Sequence, residues 1–307
     1  MAVSALYDVP APAKLNLYLH VVGKRADGMH LLDSLMVLID WSDTLHFELR
    51  RDGRLARHDR LAALPADDLC LRAARSLQSA SGTPLGADIT IDKRVPWGAG
   101  LGGGSSDAAS TLLALNRLWR LDWPLDRLLP LAVAVGADVP FFLSGENAVV
   151  TGIGERLRPV HLAPAWFAVL KPAAGLATRD VFVHPSVAEI AATARIAGFS
   201  QASSGSSAWP REPGGRGGTE PELADGFGRN DLQAAAESLC PEVAHAATLL
   251  DRAYGNSRMT GSGSAVFARA GDGAAPSAAM PSDWPDGWSG RMCRSLERHP
   301  LAAWVER

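Results

Sequence analysis

Five glycines fall within residues 98–104, in the run Pro96-Trp97-Gly98-Ala99-Gly100-Leu101-Gly102-Gly103-Gly104-Ser105-Ser106-Asp107. Such a run does not suit the interior of a helix or strand, because each glycine loses backbone entropy and has no side chain to pack. It suits a tight backbone that approaches a ligand with no Cβ in the way. Upstream, Ala87, Ile89 and Ile91 alternate with Asp88, Thr90 and Asp92, the period of a half-buried strand. Downstream, Leu112, Leu115 and Trp119 share one stripe, which predicts a helix over residues 106–120. A glycine-rich turn between a strand and a helix start converges its N–H groups with those of the helix end, and so makes a cradle for phosphate oxygens. Ser105 and Ser106 add hydroxyl donors there, or a ligand for the metal that accompanies a nucleotide.

Two well-known phosphate loops fail on context. Gly98, Gly100 and Gly103 match G-x-G-x-x-G, but that fingerprint requires a second strand ending in an acid about 20 residues on. Here the helix runs to Arg120, and Asp122-Trp123-Pro124 reads as a turn. The pattern G-x-x-x-x-G-K-[ST] is absent, since no lysine follows the glycines.

Three shorter segments carry the remaining chemistry. In residues 14–21, Leu15, Leu17, Leu19 and Val21 alternate with Lys14, Asn16, Tyr18 and His20. A half-buried strand results, with Lys14 and Asn16 side by side on its polar face. Asp138 lies between Gly136-Ala137 and Val139-Pro140, which reads as a partly enclosed carboxylate. Carboxylates are rarely buried unless paired or used, though a turn or helix cap would also place one there. Thr260-Gly261-Ser262-Gly263-Ser264 is a second small-residue turn, either a plain hairpin-like turn or a further contact to phosphates. No His/Cys cluster suggests zinc, and no G-x-S-x-G elbow suggests a serine hydrolase.

Elsewhere the patterns predict strands over residues 35–39, 45–49, 166–170 and 265–268. They predict helices over 69–80, stopping near Gly82, and over 231–254 with a break at Pro241. Residues 201–218, crowded with Ser, Gly and Pro, read as a surface loop. The mixture is α+β, and 307 residues suit two units, residues 1–160 and 161–307, with the seam near 155–165. A net charge of -3 disfavours nucleic acid as partner. Cys70, Cys240 and Cys293, odd in number and far apart, read as buried reduced thiols. No membrane-length apolar run occurs, and residues 1–12 lack the pattern of a secretory leader. The expectation is a soluble cytoplasmic enzyme.

Together these segments resemble the GHMP kinases over most of the chain. The glycine loop and the Thr-Gly-Ser-Gly turn mark the superfamily. Pro12-Ala13-Lys14-Leu15-Asn16-Leu17 and Asp27-Gly28-Met29-His30 mark the branch that acts on a cytidine diphosphate-linked methylerythritol. Ile91 to Pro96, Gly136 to Pro140, Phe227 to Leu232 and Thr260 to Phe267 extend the likeness. The resemblance implies a two-domain GHMP kinase fold: an N-terminal ribosomal-protein-like α/β unit, a C-terminal ferredoxin-like unit, and an active site in the cleft between them. It implies ATP with its phosphates on residues 96–106, and Mg2+ is expected with the nucleotide although no ligand is assigned. The acceptor would be the tertiary 2-hydroxyl of the methylerythritol unit, in the non-mevalonate route to isoprenoids. Lys14 and Asp138 match the family's catalytic pair. Asn16, Met29, His30, Asp138, Thr178 and Phe182 match its substrate contacts, with His30 and Phe182 at cytosine.

Relatives carry tyrosine where Met29 stands and asparagine, near the adenine, where Asp68 stands; the 201–218 insertion also exceeds their pattern. Homoserine and mevalonate kinases, ATP-dependent decarboxylases and non-catalytic nucleotide binders share the loop. The Asp-Gly-x-His segment argues against the first two, and retention of both Lys14 and Asp138 argues against the last.

Overall fold

The computed structural model describes residues 3–61, 63–66, 68–196, 228–272 and 274–305, so the loop expected at 201–218 lies outside the described residues. In chain order the elements are β1 (Ala5–Lys24), β2 (His30–Arg50), β3 (Leu55–Asp59), α1 (Leu69–Ser81), β4 (Gly86–Asp92) and α2 (Gly103–Leu118). There follow α3 (Leu125–Val135), α4 (Val139–Ser144), β5 (Ala148–Gly152), β6 (Arg156–Pro159), β7 (Ala165–Lys171), α5 (Thr178–Phe182) and α6 (Pro185–Ile196). The chain ends with α7 (Gln233–Leu239), α8 (Pro241–Tyr254), β8 (Arg258–Met259), β9 (Val266–Asp272) and β10 (Ser289–Leu296). No described helix is long and apolar enough to cross a membrane.

β2 is the trunk of the sheet. One edge pairs with β1 nearly end to end, while the other serves β5 at residues 32–36, β10 at 38–39 and β4 at 44–50. The apolar patterns predict two strands here, at 35–39 and 45–49, but the polar residues between them do not turn the chain. Each finds a partner in the extended conformation. Asp40 Oδ1 accepts from Arg294 N (3.0 Å), and Ser42 Oγ accepts from Ala11 N (3.1 Å). Asp43 Oδ1 accepts from the amides of Arg94 (2.5 Å) and Val95 (2.7 Å). With those groups satisfied, the strand continues through a stretch that composition alone marks as a break.

Period-two alternation sorts the side chains into three cores. Leu38, Phe47 and Ile89 face α1, α2, α3 and α4. Ala168, Leu170, Val266 and Ala268 face α6, α7 and α8. Leu15, Val37, Ile39, Phe167, Val169 and Phe267 meet in a third core that joins the strands of both halves of the chain. This last core also corrects the expectation that β1 is half-buried. Its pairing shifts between Asn16 and Tyr18, so Leu15 and Leu17 belong to the shared core while Leu19 and Val21 pack with the C-terminal helices.

Helix ends follow local chemistry. Asp68 accepts from Leu71 N (3.0 Å) at the start of α1, and Gly82 closes that helix in the left-handed region. Asp68 also pairs with Arg57 at 2.8 Å, so this residue, expected near adenine, serves the helix start and an ion pair. α2 starts at Gly103, earlier than the expected residue 106, because left-handed Gly102 (φ 71) caps it and lets the glycine run wind straight into the first turn. The expected break at Pro241 separates α7 from α8.

The chain end seals the N-terminal helical layer. His299 N donates to Gly145 O (2.8 Å) just past α4, and His299 Nδ1 accepts from Leu301 N (3.1 Å). The ring is buried, its Nε2 has no hydrogen-bond partner, and burial holds its pKa down to about 4. Unfolded, the ring takes a proton near pH 6.5. Stability present above that value is therefore lost as pH falls towards 4, by up to about 3 kcal/mol. His299→Asn keeps an acceptor and removes the titration, so urea unfolding at pH 7 and pH 4.5 should show a smaller pH difference in the variant. Equal differences in the two proteins would exclude His299 as the source.

Candidate active site

The site forms where the glycine loop, the middle of β1, the N-terminus of α4 and the 260–264 turn come together. The loop is tied to β1 by Lys14 N, which donates to Leu101 O (3.0 Å), and to the turn by Ala265 N, which donates to Ala99 O (3.1 Å). Gly100 is the point of closest approach. Its φ is +73, and a Cβ built there would sit 2.1 Å from Thr260 O, so only glycine permits the two backbones to meet.

Lys14 is buried to 2 % exposure. Its ammonium donates to Asn16 Oδ1 and to Gly100 O (2.9 Å), and lies 3.7 Å from Asp138 Oδ2. Burial lowers the Lys14 pKa, while the Asp138 carboxylate works against that shift. Asp138 stands at the N-cap position of α4, yet its side chain caps nothing and turns to the lysine, remaining 31 % exposed on the open side. That exposure leaves the carboxylate in reach of a bound molecule.

Asn16 is fully buried. Its carbonyl oxygen accepts from Lys14, from Gly261 N (2.9 Å) and from Thr260 Oγ1 (3.3 Å), while its amide donates to Ser34 Oγ (2.8 Å). These bonds are all internal, and they orient the lysine and hold the turn. Asn230 completes the support, donating to Met259 O (2.9 Å) and Gly261 O (2.8 Å).

Beneath the loop lies a group that the sequence reading missed. Lys93 Nζ bridges Asp43 (2.5 Å) and Asp107 (2.6 Å), all three nearly or fully buried. Burial acts to lower the Lys93 pKa, but the two carboxylates overcome it and raise the value. Burial pushes Asp107 up to about 7, with Lys93 opposing and Asp43 adding to the rise. Lysine and aspartate face solvent by default, and Lys93 and Asp107 stand in the sequence as ordinary charged residues. Only the adjacency of Asp107 to Ser105-Ser106 hinted otherwise. Ser106 Oγ, at the open end of α2 where backbone N–H groups lack helical partners, is buried with no hydrogen-bond partner. Among the described residues no three His, Cys, Asp or Glu side chains are grouped to hold a metal ion. Beside the loop is a pocket of about 470 Å3 lined by residues that include Leu64, Pro65, Lys93, Val95, Pro96 and Trp97.

Across the 260–264 turn, Thr178 Oγ1 and Ser262 Oγ are 2.9 Å apart, which ties α5 to the site. α5 brings Phe182 to His30, with ring centroids 5.2 Å apart at 32°. His30 Nε2 is buried with no hydrogen-bond partner; burial lowers the ring's pKa, and Lys24 adds to the shift. A neutral imidazole beside an aromatic ring, one nitrogen unused, suits a planar heterocycle. Met29 next to it is 47 % exposed.

The chain matches the family model for the GHMP kinases N terminal domain over residues 68–146 and the model for GHMP kinases C terminal over residues 220–280. It is 59 % identical over 307 residues to the 4-diphosphocytidyl-2-C-methyl-D-erythritol kinase of Methylibium petroleiphilum, covering 99 % of this chain and 100 % of that one. It is 50 % identical to the enzyme of the same name from Polaromonas naphthalenivorans, covering 98 % and 96 %. A crystal structure of 4-(cytidine 5'-diphospho)-2C-methyl-D-erythritol kinase superposes with a TM-score of 0.63 at 30 % identity, over 94 % of this chain and 98 % of that one.

The contact between loop and turn can be tested directly. Gly100→Ala adds a Cβ against Thr260 O, whereas Gly98→Ala, at φ +64 with nothing within 4 Å, isolates the cost of the left-handed backbone, about 1–2 kcal/mol. Thermal unfolding should rank wild type above Gly98→Ala and Gly98→Ala clearly above Gly100→Ala. Similar melting of the two variants would mean that the loop yields at residue 100.

Proposed function

The chain belongs to the 4-diphosphocytidyl-2-C-methyl-D-erythritol kinases of the GHMP kinase family, and we propose that Lys14 and Asp138 carry its chemistry at the cleft between residues 1–160 and 161–307. The enzyme transfers a phosphoryl group from ATP to an alcohol, the 2-hydroxyl of 4-diphosphocytidyl-2-C-methyl-D-erythritol, in the non-mevalonate route to isoprenoids. The observation that carries this division of roles is the buried Lys14 ammonium, 3.7 Å from a carboxylate and bonded to the loop at Gly100 O.

Residues 96–106 cradle the phosphates through the N–H groups that follow Pro96 and the N-terminus of α2. Phosphoryl transfer passes through a loose transition state, so positioning and charge compensation dominate catalysis. The acceptor oxygen forms a bond to the γ-phosphorus, the bond from that phosphorus to the bridging oxygen breaks, and ADP leaves with the electron pair. The acceptor's proton passes to Asp138, whose carboxylate lies 3.7 Å from the Lys14 ammonium on the open side of the site. Lys14 also faces the negative charge that develops on the acceptor oxygen. Its burial strengthens that interaction, because little water screens it.

His30 and Phe182 receive cytosine, with His30 Nε2 free to pair with the base edge and Met29 supplying a thioether contact. Thr178 sits between that region and the turn, within reach of the diphosphate or the tetrol. Asn16 acts through Lys14. Mg2+ accompanies the nucleotide, and the donor set fits an ion held chiefly by phosphate oxygens: Ser106 Oγ is a free hydroxyl at the helix end, and magnesium in such sites needs few protein ligands. When bound, the ion neutralises phosphate charge. The use of ATP and three free cysteine thiols support a cytoplasmic enzyme.

The experiment is ADP release by the purified protein with magnesium-ATP and, in turn, diphosphocytidyl-methylerythritol, homoserine and mevalonate. Turnover is expected with the first alone. Asp138→Asn and Lys14→Ala should each lower kcat by about 10²–10⁴-fold, the size of a lost proton acceptor or charge partner, with much smaller changes in ATP binding. A folded variant with wild-type kcat would remove that residue from the mechanism.

A further inference from the structure

The segment between β7 and α5, residues 172–177, has no part in the roles proposed above, yet it touches both sides of the site. Gly175 comes within van der Waals reach of the glycine loop, where a Cβ built on it would lie 3.9 Å from Gly98 O. Next to it, Leu176 packs on the 260–264 turn, its Cδ1 3.2 Å from the position a Cβ would take on Gly263. The segment then enters α5, where Thr178 Oγ1 lies 2.9 Å from Ser262 Oγ and Phe182 reaches His30. Whatever fixes residues 172–177 therefore fixes the place of the aromatic ring on the acceptor side.

What fixes them is a clamp on Ala174. Lys171, the last residue of β7, is 9 % exposed, and its ammonium donates forward to Ala173 O (3.1 Å) and Ala174 O (3.2 Å). The fully buried Ser264 donates from its Oγ to the same Ala174 O (2.6 Å). Glu242, in the first turn of α8, accepts at Oε2 from Ala174 N (3.2 Å). A residue with no polar side chain is thus held by a strand, a helix and the turn of the site. Burial lowers the Lys171 pKa, and the Glu242 carboxylate works against that shift. A plain turn closes with backbone bonds, and an ammonium taken largely out of water is a costly way to close one.

We infer that Lys171 and Glu242 are positioning residues for the phosphoryl acceptor: through Ala174 they set the path of residues 172–177, and with it the place of Phe182 against His30. This rests on the reading of His30 and Phe182 as the cytosine site. Lys14 and the glycine loop are held by other bonds, to Asn16, Gly100, Leu101 and Ala265. Loss of the clamp therefore weakens acceptor binding and leaves the donor site and the chemical step largely as they were.

The test measures KM for diphosphocytidyl-methylerythritol, KM for ATP and kcat in Lys171→Met, Lys171→Arg and Glu242→Ala, with thermal unfolding to establish that each variant is folded. Lys171→Met keeps an unbranched stem and removes the donors, so KM for the acceptor should rise about tenfold, with KM for ATP and kcat changed less than about twofold. Lys171→Arg keeps charge and donors and should recover most of the affinity. Glu242→Ala frees Ala174 N and should raise the acceptor KM in the same direction, so it decides the matter if Lys171→Met does not fold. An acceptor KM within about twofold of wild type in the folded variants, or a KM for ATP that rises equally, overturns the inference. Phe182→Ala tests the reading beneath it. A raised acceptor KM there, with none in Lys171→Met and Glu242→Ala, overturns the clamp alone. An unchanged acceptor KM in folded Phe182→Ala overturns the cytosine site, and this inference with it.

Discussion

A buried ammonium organises this molecule. Taking a lysine charge out of water costs several kcal/mol unless partners replace the lost hydration. For Lys14 those partners are an amide oxygen two residues along its own strand, a carbonyl in the glycine loop and a carboxylate at the head of α4. No one segment can supply all three. The lysine is tolerable only when strand, loop and helix are assembled, and that same assembly brings the Asp138 carboxylate and the glycine loop together. The charge that is costly to bury thus holds strand, loop and helix at one point, and the mechanism proposed for this site uses the same arrangement.

The rest of the fold serves this convergence. β2 runs through the whole sheet, so β1 with Lys14 and the C-terminal strands share a continuous scaffold. The glycine run performs two tasks that no other residue type could combine. It winds directly into α2, and at Gly100 it lets one backbone touch another. Under it, Lys93 joins Asp43 of β2 to Asp107 of α2, which fixes the loop's base to the sheet through one ammonium shared by two carboxylates.

Much of this was legible in the linear pattern, and the parts that were not share a cause. The helices over 69–80 and 231–254, the break at Pro241 and the strands at 87–91 and 166–170 follow from local periodicity and local stop signals, which act within a few residues. β2 was read as two strands because its apolar runs at 35–39 and 45–49 are separated by the polar Asp40, Ser42 and Asp43, whose hydrogen-bond partners lie at Arg294, Ala11 and Arg94–Val95. Asp107 and Lys93 look like surface charges because sequence does not reveal burial, and each supplies the reason that the other can be buried. Asn16 could be singled out as a neighbour of Lys14. Its commitment to Gly261, Thr260 and Ser34 could not be seen, since those groups belong to distant segments.

By itself, then, the sequence determined the chemistry available: a glycine cradle, a lysine, a carboxylate, a second small-residue turn and a histidine in an Asp-Gly-x-His segment. It did so because residue type and near-neighbour spacing set backbone freedom, periodicity and functional groups. The tertiary structure alone decided which of these meet. It set Asp138 against Lys14, Thr260 against Gly100, Phe182 against His30 and Lys93 between two aspartates. Such pairings depend on burial and long-range packing, where the cost of an unpartnered charge or a misplaced Cβ is felt only after the chain has closed on itself.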